Sequence, residues 1–223
     1  MARSTTPRIQ TLTYYFSVEG ETEKWYLDWL EQQINSQDNT KFKVKFKTEV
    51  QKDPVSYAKK LTIQKRTTVW HISDIEGSTP SHVLSIENTL GRLKDAKNLG
   101  KAITYNWGYS NLSFDLWMIL HKQTCNAEMS DVSKYLNHIN RVFDAHFESM
   151  KEYKEEDNFK YCLGKLSFLE VFSAIERAKN IMKRNERDGY PLTQFKGYKY
   201  YMHNPSLDLW QPIEKILSDC GLL

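Results

Sequence analysis

Cysteine is scarce in this chain, and long apolar runs are missing. Cys125, Cys162 and Cys220 are the only cysteines in 223 residues. They are odd in number and far apart, with no C-x-x-C pair, which argues against a cysteine zinc site and fits a reducing compartment. Each thiol is expected as buried filler. No apolar stretch approaches the roughly 20 residues that span a bilayer. No apolar h-region follows Met1-Ala2-Arg3-Ser4, so neither a secretory signal nor membrane contact is expected, and the reading is cytoplasmic. A strong charge of one sign is also lacking: the formal balance is +3, so any phosphate-binding surface must come from local arrangement. Internal repeats and low-complexity tracts are absent.

What remains is an ordinary globular balance, 40% hydrophobic and 26% charged, with enough chain for one α/β domain and an extension. Leu12 to Val18 reads as a strand buried on both faces. Glu21 to Ile34 reads as a helix with Trp25, Trp29 and Leu30 turned inward. Phe42, Val44 and Phe46 alternate with Lys43, Lys45 and Lys47, the pattern of a strand at a sheet edge. Asp53-Pro54 opens a second helix. Thr67 to Ser73 is the third strand, and Val83, Ile86, Leu90 and Leu93 follow at helical spacing. Lys101 to Trp107 is the fourth strand, with Gly108 to Asn111 as its exit loop and Phe114 to Lys122 as a short helix. Such alternation predicts right-handed crossovers and a mostly parallel sheet of about four strands flanked by helices. Beyond Cys125 the pattern turns helical. Lys151 to Asp157 reads as a solvated charge run. Ser167 and Glu170 form a capping box before a long helix, the aromatic-rich segment 189–205 reads as a loop, and a last helix follows Ser206. The expected organisation is an α/β core over 10–125 and a helical extension over 126–223 packed on it.

The chemistry gathers where strands end. Phe16-Ser17-Val18-Glu19-Gly20-Glu21-Thr22-Glu23 carries a strand into a carboxylate, a glycine and a helix start. Asp74 and Glu76 follow the third strand, and Ser110, Asn111 and Asp115 follow the fourth. In parallel α/β sheets ligands bind beyond the carboxyl ends of the strands. Crowded carboxylates raise one another's pKa unless a cation joins them, and Mg²⁺ or Mn²⁺ suits oxygen ligands. Side chains at i and i+2 of an extended strand point the same way, so Asp74 and Glu76 are expected to reach one metal or a closely spaced pair, with Glu19 on the neighbouring strand end.

These motifs resemble a known family. Glu19-Gly20 after one strand and Asp74-x-Glu76 after another look like the Toprim signature. Ser110-Asn111-x-x-Phe114-Asp115-x-Trp117-x-x-x-His121 looks like a block of RloB-like proteins, Toprim-related components of abortive-infection defence usually encoded beside an SMC-like or ABC-like ATPase. The likeness is good over residues 12–122. Glu76, Leu112 and Asp115 depart from the common residues Asp, Pro and Glu.

The resemblance implies a Toprim-like fold and a Mg²⁺- or Mn²⁺-dependent nuclease cutting tRNA or DNA, the effector of an anti-phage system with a cognate ATPase as partner; it leaves room for a homo-oligomer. Asp74 and Glu76 would be paired metal ligands, Glu19 a ligand or the acid-base glutamate, and Glu23 an outer-shell contact in the catalytic centre or simply a helix-start acid. Ser110 and Asn111 would bind phosphate of the substrate or fix a carboxylate. Asp115 would join a second metal or orient His121, and His121 would donate a proton to the leaving oxygen or, in the plainer reading, pack in the core. Two rivals stand beside this reading. One is a non-catalytic regulatory subunit of a defence ATPase complex. The other is a primase or topoisomerase fragment, disfavoured because no zinc ribbon or strand-passage tyrosine module is visible.

Overall fold

A computed structural model describes residues 9–223; residues 1–10, polar in sequence and read as a loose arm, lie outside them except for the last two. The first half runs β1 (Thr11–Val18), α1 (Glu21–Asn35), β2 (Lys43–Val50), α2 (Pro54–Lys60), β3 (Thr67–Asp74), α3 (Pro80–Lys97), β4 (Ile103–Asn111) and α4 (Asp115–Lys122). A 3-10 turn then leads into α5 (Tyr135–Phe143), α6 (Met150–Tyr153), α7 (Glu156–Gly164) and α8 (Phe168–Arg187). The chain closes with β5 (Leu192–Phe195), β6 (Tyr198–Tyr201), β7 (Ser206–Leu207) and α9 (Trp210–Asp219).

The main sheet has the order β2-β1-β3-β4-β7. Its first four strands are parallel and β7 is antiparallel, so the fold is the expected mostly parallel α/β sheet flanked by helices, with one added strand. From β1 the chain crosses outward to β2, whereas β3 continues to β4 on the other side. The strand order therefore reverses between β1 and β3, the point at which α/β sheets open a crevice for ligands.

Alternation of side chains along the strands divides the core in two. Phe16, Val18, Trp70 and Ile72 face α1, α4 and the later helices. Val69, Tyr105, Trp107 and Tyr109 face α2 and α3. Residues on both sides of position 125 share the first cluster, which joins Tyr26 and Leu30 of α1 to Ile139, Ile175 and Ile213. The expected inward stripe of α1 is shifted: Tyr26, Leu27, Leu30 and Ile34 are buried, and Trp25 and Trp29 flank them half-buried.

Local sequence accounts for the helix starts. Asp53 accepts from the backbone N–H groups of Val55 and Ser56, with Pro54 at the first helical position. Thr79 caps α3, and Ser167 with Glu170 forms the capping box of α8. The lysines of the edge strand β2 are engaged within the chain: Lys45 pairs with Glu31 at 3.0 Å, and Lys47 lies over the Tyr15 ring.

The segment expected as a loop over 189–205 instead holds the β5–β6 hairpin. Its aromatics pack on the second face of the sheet, where Tyr200 meets Trp107 at a ring separation of 5.6 Å. The expected exit loop over Gly108 to Asn111 is also strand. Ser110 and Asn111 pair with Leu207 and Ser206 of β7, so a partner far along the chain supplies the hydrogen bonds that keep β4 extended.

Candidate active site

Four carboxylates gather at the carboxyl ends of β1 and β3 and at the helix starts beside them. Glu19 follows β1 directly, and Glu23 sits in the first turn of α1. Asp74 ends β3, and Asp115 begins α4. Strands β1 and β3 are neighbours, with Val18 opposite Ile72. That register brings Glu19 onto Asp74, whose backbone N–H donates to the Glu19 carboxylate at 3.2 Å.

Gly20 shapes the second acid. A Cβ at Gly20 would lie 3.1 Å from Glu23 Oε2, so the bare backbone lets the Glu23 carboxylate fold back against the start of its own helix. There it accepts from Thr22 Oγ1 at 2.9 Å and benefits from the positive end of the helix dipole. Asp115 is fully buried. Its Oδ2 accepts from Ser113 Oγ at 2.7 Å and lies 3.0 Å from Lys154 Nζ. Among the described residues its Oδ1 has no hydrogen-bond partner, and neither have the buried hydroxyls of Tyr135 and Tyr153, both of which feel the Asp115 charge.

The electrostatics follow from burial and crowding. Desolvation pushes Glu19 up to about 7, with Glu23 adding to the rise, while the Asp74 N–H bond and Lys52 oppose it. Burial also raises Glu23, further pushed by Asp115, against the pull of Thr22 and Lys154. Asp74 is raised by burial and then by Glu23, Glu19 and Asp115, with Lys154 opposing.

The other expected site residues are placed differently. Glu76 lies beyond the strand, at a φ of 59°, so the i and i+2 argument fails for it. The left-handed turn carries its side chain out to 62% exposure, 4.0 Å from His82 Nε2, where its charge still adds a little to the rise of Glu19. Ser110 and Asn111 sit in the interior. Asn111 spends its amide donors on the carbonyls of Tyr201 and Met202, tying β4 to the hairpin. His121 is buried between α4 and α1, with Nδ1–H donating to the Trp117 carbonyl at 2.9 Å and Nε2 accepting from Tyr26 Oη at 3.2 Å. Asp115 and His121 therefore have separate partners and do not orient one another.

Lys154 has no counterpart among the expected site residues. It stands in the charge run read as solvated, and no local signal marks it. A cavity of about 1010 Å³ opens at the amino ends of β1 and β3. That is the opposite end of the sheet from the acids, and only the carboxyl end has the helix starts and strand crossover that gather ligand groups.

A family model described as RloB-like protein matches residues 14–216. The chain belongs to the RloB-like family. The match extends through the C-terminal segment that supplies Lys154 and β7, well past the motifs of residues 12–122. No curated protein and no solved structure matches the chain significantly.

The donor set of this RloB-like rim suits a hard divalent cation. It is all oxygen, crowded anions at the ends of adjacent strands raise one another, and one buried oxygen of Asp115 is left without a partner. The carboxylates are close but not arranged as a ligand set: among the described residues no three His, Cys, Asp or Glu stand in position to hold a metal. Glu19 turns to the Asp74 N–H, Glu23 to Thr22, and Asp115 to Ser113 and Lys154. Ligation would require these carboxylates to leave their present partners.

Proposed function

We propose that this chain is a divalent-metal-dependent nuclease of the Toprim type, cutting a phosphodiester of tRNA or DNA as the effector of an anti-phage system. The observation that carries the proposal is the crowding of Glu19, Glu23, Asp74 and Asp115 at the sheet's switch point, where Glu19, Glu23 and Asp74 are each raised by burial and by another of the four. Holding like charges together destabilises a protein unless a ligand uses them. Family membership supports the same reading, and a cognate SMC- or ABC-like ATPase as partner is what that membership suggests.

Asp74, Glu19 and Glu23 would hold Mg²⁺ or Mn²⁺, with Asp115 closing the inner side. When bound, such an ion supplies Lewis-acid charge to the phosphodiester and to the attacking water. Glu19 would serve either as a ligand or as the acid-base group for that water. Its rise to about 7 belongs to the crowded carboxylates alone and would be relieved by a bound cation. Lys154 offsets negative charge from the other side of the cluster.

Purified chain incubated with tRNA and with plasmid, with and without Mg²⁺ or Mn²⁺, tests this directly. Cleavage should require the ion, disappear in Glu19→Gln and Asp74→Asn, and persist in Lys151→Ala. Cleavage that survives both acidic substitutions would remove the site from consideration. One observation favours the non-catalytic rival, a Toprim-fold binding subunit: among the described residues the acids are not arranged as a ready ligand set. Intact substrates together with stable binding to the ATPase would support that reading instead.

A further inference from the structure

The outer edge of β2 is closed along only half of its length. Strand β2 ends the main sheet, so one line of its backbone groups has no strand beside it. The N–H groups of Lys43 and Gln51 donate inward, to the carbonyls of Gln10 and Val18, and the register between them is unbroken. Successive residues of a ladder turn their backbone groups to opposite sides. Odd-numbered residues of β2 therefore face β1, and even-numbered ones face outward.

Helix α1 covers the first of these outward groups. Asn35 gives its amide to the Val44 carbonyl at 2.9 Å, and its Oδ1 accepts from the Val44 N–H at 2.8 Å, as a neighbouring strand would. Glu31 accepts from the Phe46 N–H. There the cover stops. The Phe46 carbonyl, the N–H and carbonyl of Thr48 and the Val50 N–H have no hydrogen-bond partner among the described residues, and Val50 is 36% exposed.

These open groups complement themselves. Two copies of β2, brought together antiparallel about a two-fold axis at Thr48, exchange both N–H···O bonds between their Thr48 residues. Each Val50 N–H then donates to the Phe46 carbonyl across the axis. Only the Val50 carbonyl goes unmatched, because Glu31 already holds the Phe46 N–H opposite it. Open edge groups are a template for pairing, and a two-fold contact uses one patch twice.

Side-chain charge selects this register. With the axis at Thr48, Lys47 stands opposite Glu49 of the second copy, and Lys45 opposite Gln51. An axis at residue 47 would set Lys47 against Lys47, and one at residue 49 would set Glu49 against Glu49. Like charges directly opposed across strands destabilise the pairing. On the other face, Phe46 comes opposite the exposed Val50.

We propose that the open half of the β2 edge is a self-association surface, through which two copies of this chain join their sheets antiparallel about Thr48. The acid rims of the two copies then lie at opposite ends of one continuous sheet. The contact is small, so the dimer is concentration-dependent, and it does not depend on what the acids bind.

Sedimentation equilibrium of the full-length chain over a rising concentration series tests this. Wild type is expected to pass from monomer to dimer. Lys47→Glu sets like charges opposite one another and should weaken the dimer by about tenfold or more. Adding Glu49→Lys to that variant restores opposite charges, keeps the wild-type net charge, and should recover most of the loss. Thr48→Pro removes an outward N–H and no bond to β1, a change that edge strands accept, and should leave only monomer. Lys47→Glu, at an exposed position, carries the test should the proline form fail to fold. A monomer at every concentration would overturn the proposal. So would a dimer that Lys47→Glu leaves unchanged, that the exchanged pair fails to restore, or that persists in a folded Thr48→Pro.

Discussion

The Glu19 carboxylate accepts a 3.2 Å hydrogen bond from the backbone N–H of Asp74, so the ends of β1 and β3 are joined through one of the acids of the site. The contact holds the anion of Glu19 beside a second carboxylate in a half-buried setting. Its hydrogen bond recovers only part of that cost, since burial still lifts Glu19 from an ordinary value near 4.5 to about 7.

Stability should therefore depend on pH through Glu19 with a definite sign. A folded pKa above the unfolded one favours the fold most while the group is protonated in both states, below about 4.5, and the advantage is lost as pH rises to about 7. Above pH 7 the shift corresponds to at most about 3 kcal/mol. Glu19→Gln keeps an acceptor for the Asp74 N–H and has no charge to lose. Urea denaturation should find it about 1–3 kcal/mol more stable than wild type at pH 8 and nearly equal at pH 4.5. A difference that is the same at both pH values would mean that Glu19 is not strained in the fold.

Divalent ions should relieve the same crowding. At about 100 times its dissociation constant, a ligand that binds only the folded chain adds about 2.7 kcal/mol, roughly 5–10 °C in Tm for a chain of this size. Mg²⁺ or Mn²⁺ at pH 8 should raise the wild-type melting temperature by that order and leave Asp74→Asn almost unmoved. An equal rise in both proteins would point to binding elsewhere.

Much of this architecture can be read along the sequence because its signals are local. The alternation of strands and helices through Lys122, the caps at Asp53 and Ser167, and the lysine-lined edge strand all lie in short windows and all fold as read. What escaped depends on distant chain. Ser110 and Asn111 read as a loop because β7, which pairs with them, is nearly a hundred residues away. Glu76 read as a strand-like partner of Asp74, but its φ of 59° reflects the turn into α3 and no periodicity reveals it. Lys154 resembles any other lysine in a charged stretch until Tyr153 and Phe159 pack beside α1 and bring it to the acids.

Gly20 offers a separable test of Glu23. Its φ of −143° and ψ of 176° suit any residue, so alanine there causes no backbone strain. The cost falls on Glu23, whose Oε2 would meet the new methyl group at 3.1 Å. Gly20→Ala should lower metal-dependent cleavage at least tenfold, with a melting temperature within about 3 °C of wild type, since alanine is a poorer N-cap by about 1 kcal/mol or less. Undiminished cleavage would show that the placement of Glu23 is not needed for the chemistry.

His121 should matter for the fold and not for proton transfer. Both ring nitrogens are committed, Nδ1 to the Trp117 carbonyl and Nε2 to Tyr26 Oη, and the ring is packed against Tyr26 and Trp117. Burial lowers its pKa to about 4 from 6.5. A folded pKa below the unfolded one stabilises above about 6.5, and that contribution is lost as pH falls towards 4. His121→Gln removes the titration and disturbs the pairing with Tyr26, a loss of about 1–3 kcal/mol at pH 7. The variant should melt lower than wild type at pH 7, show a smaller further decline between pH 6.5 and 4, and keep cleavage within a few-fold at temperatures where it is folded. Abolished cleavage in a folded His121→Gln, with Mn²⁺ binding unchanged, would instead make the histidine part of the chemistry despite its burial.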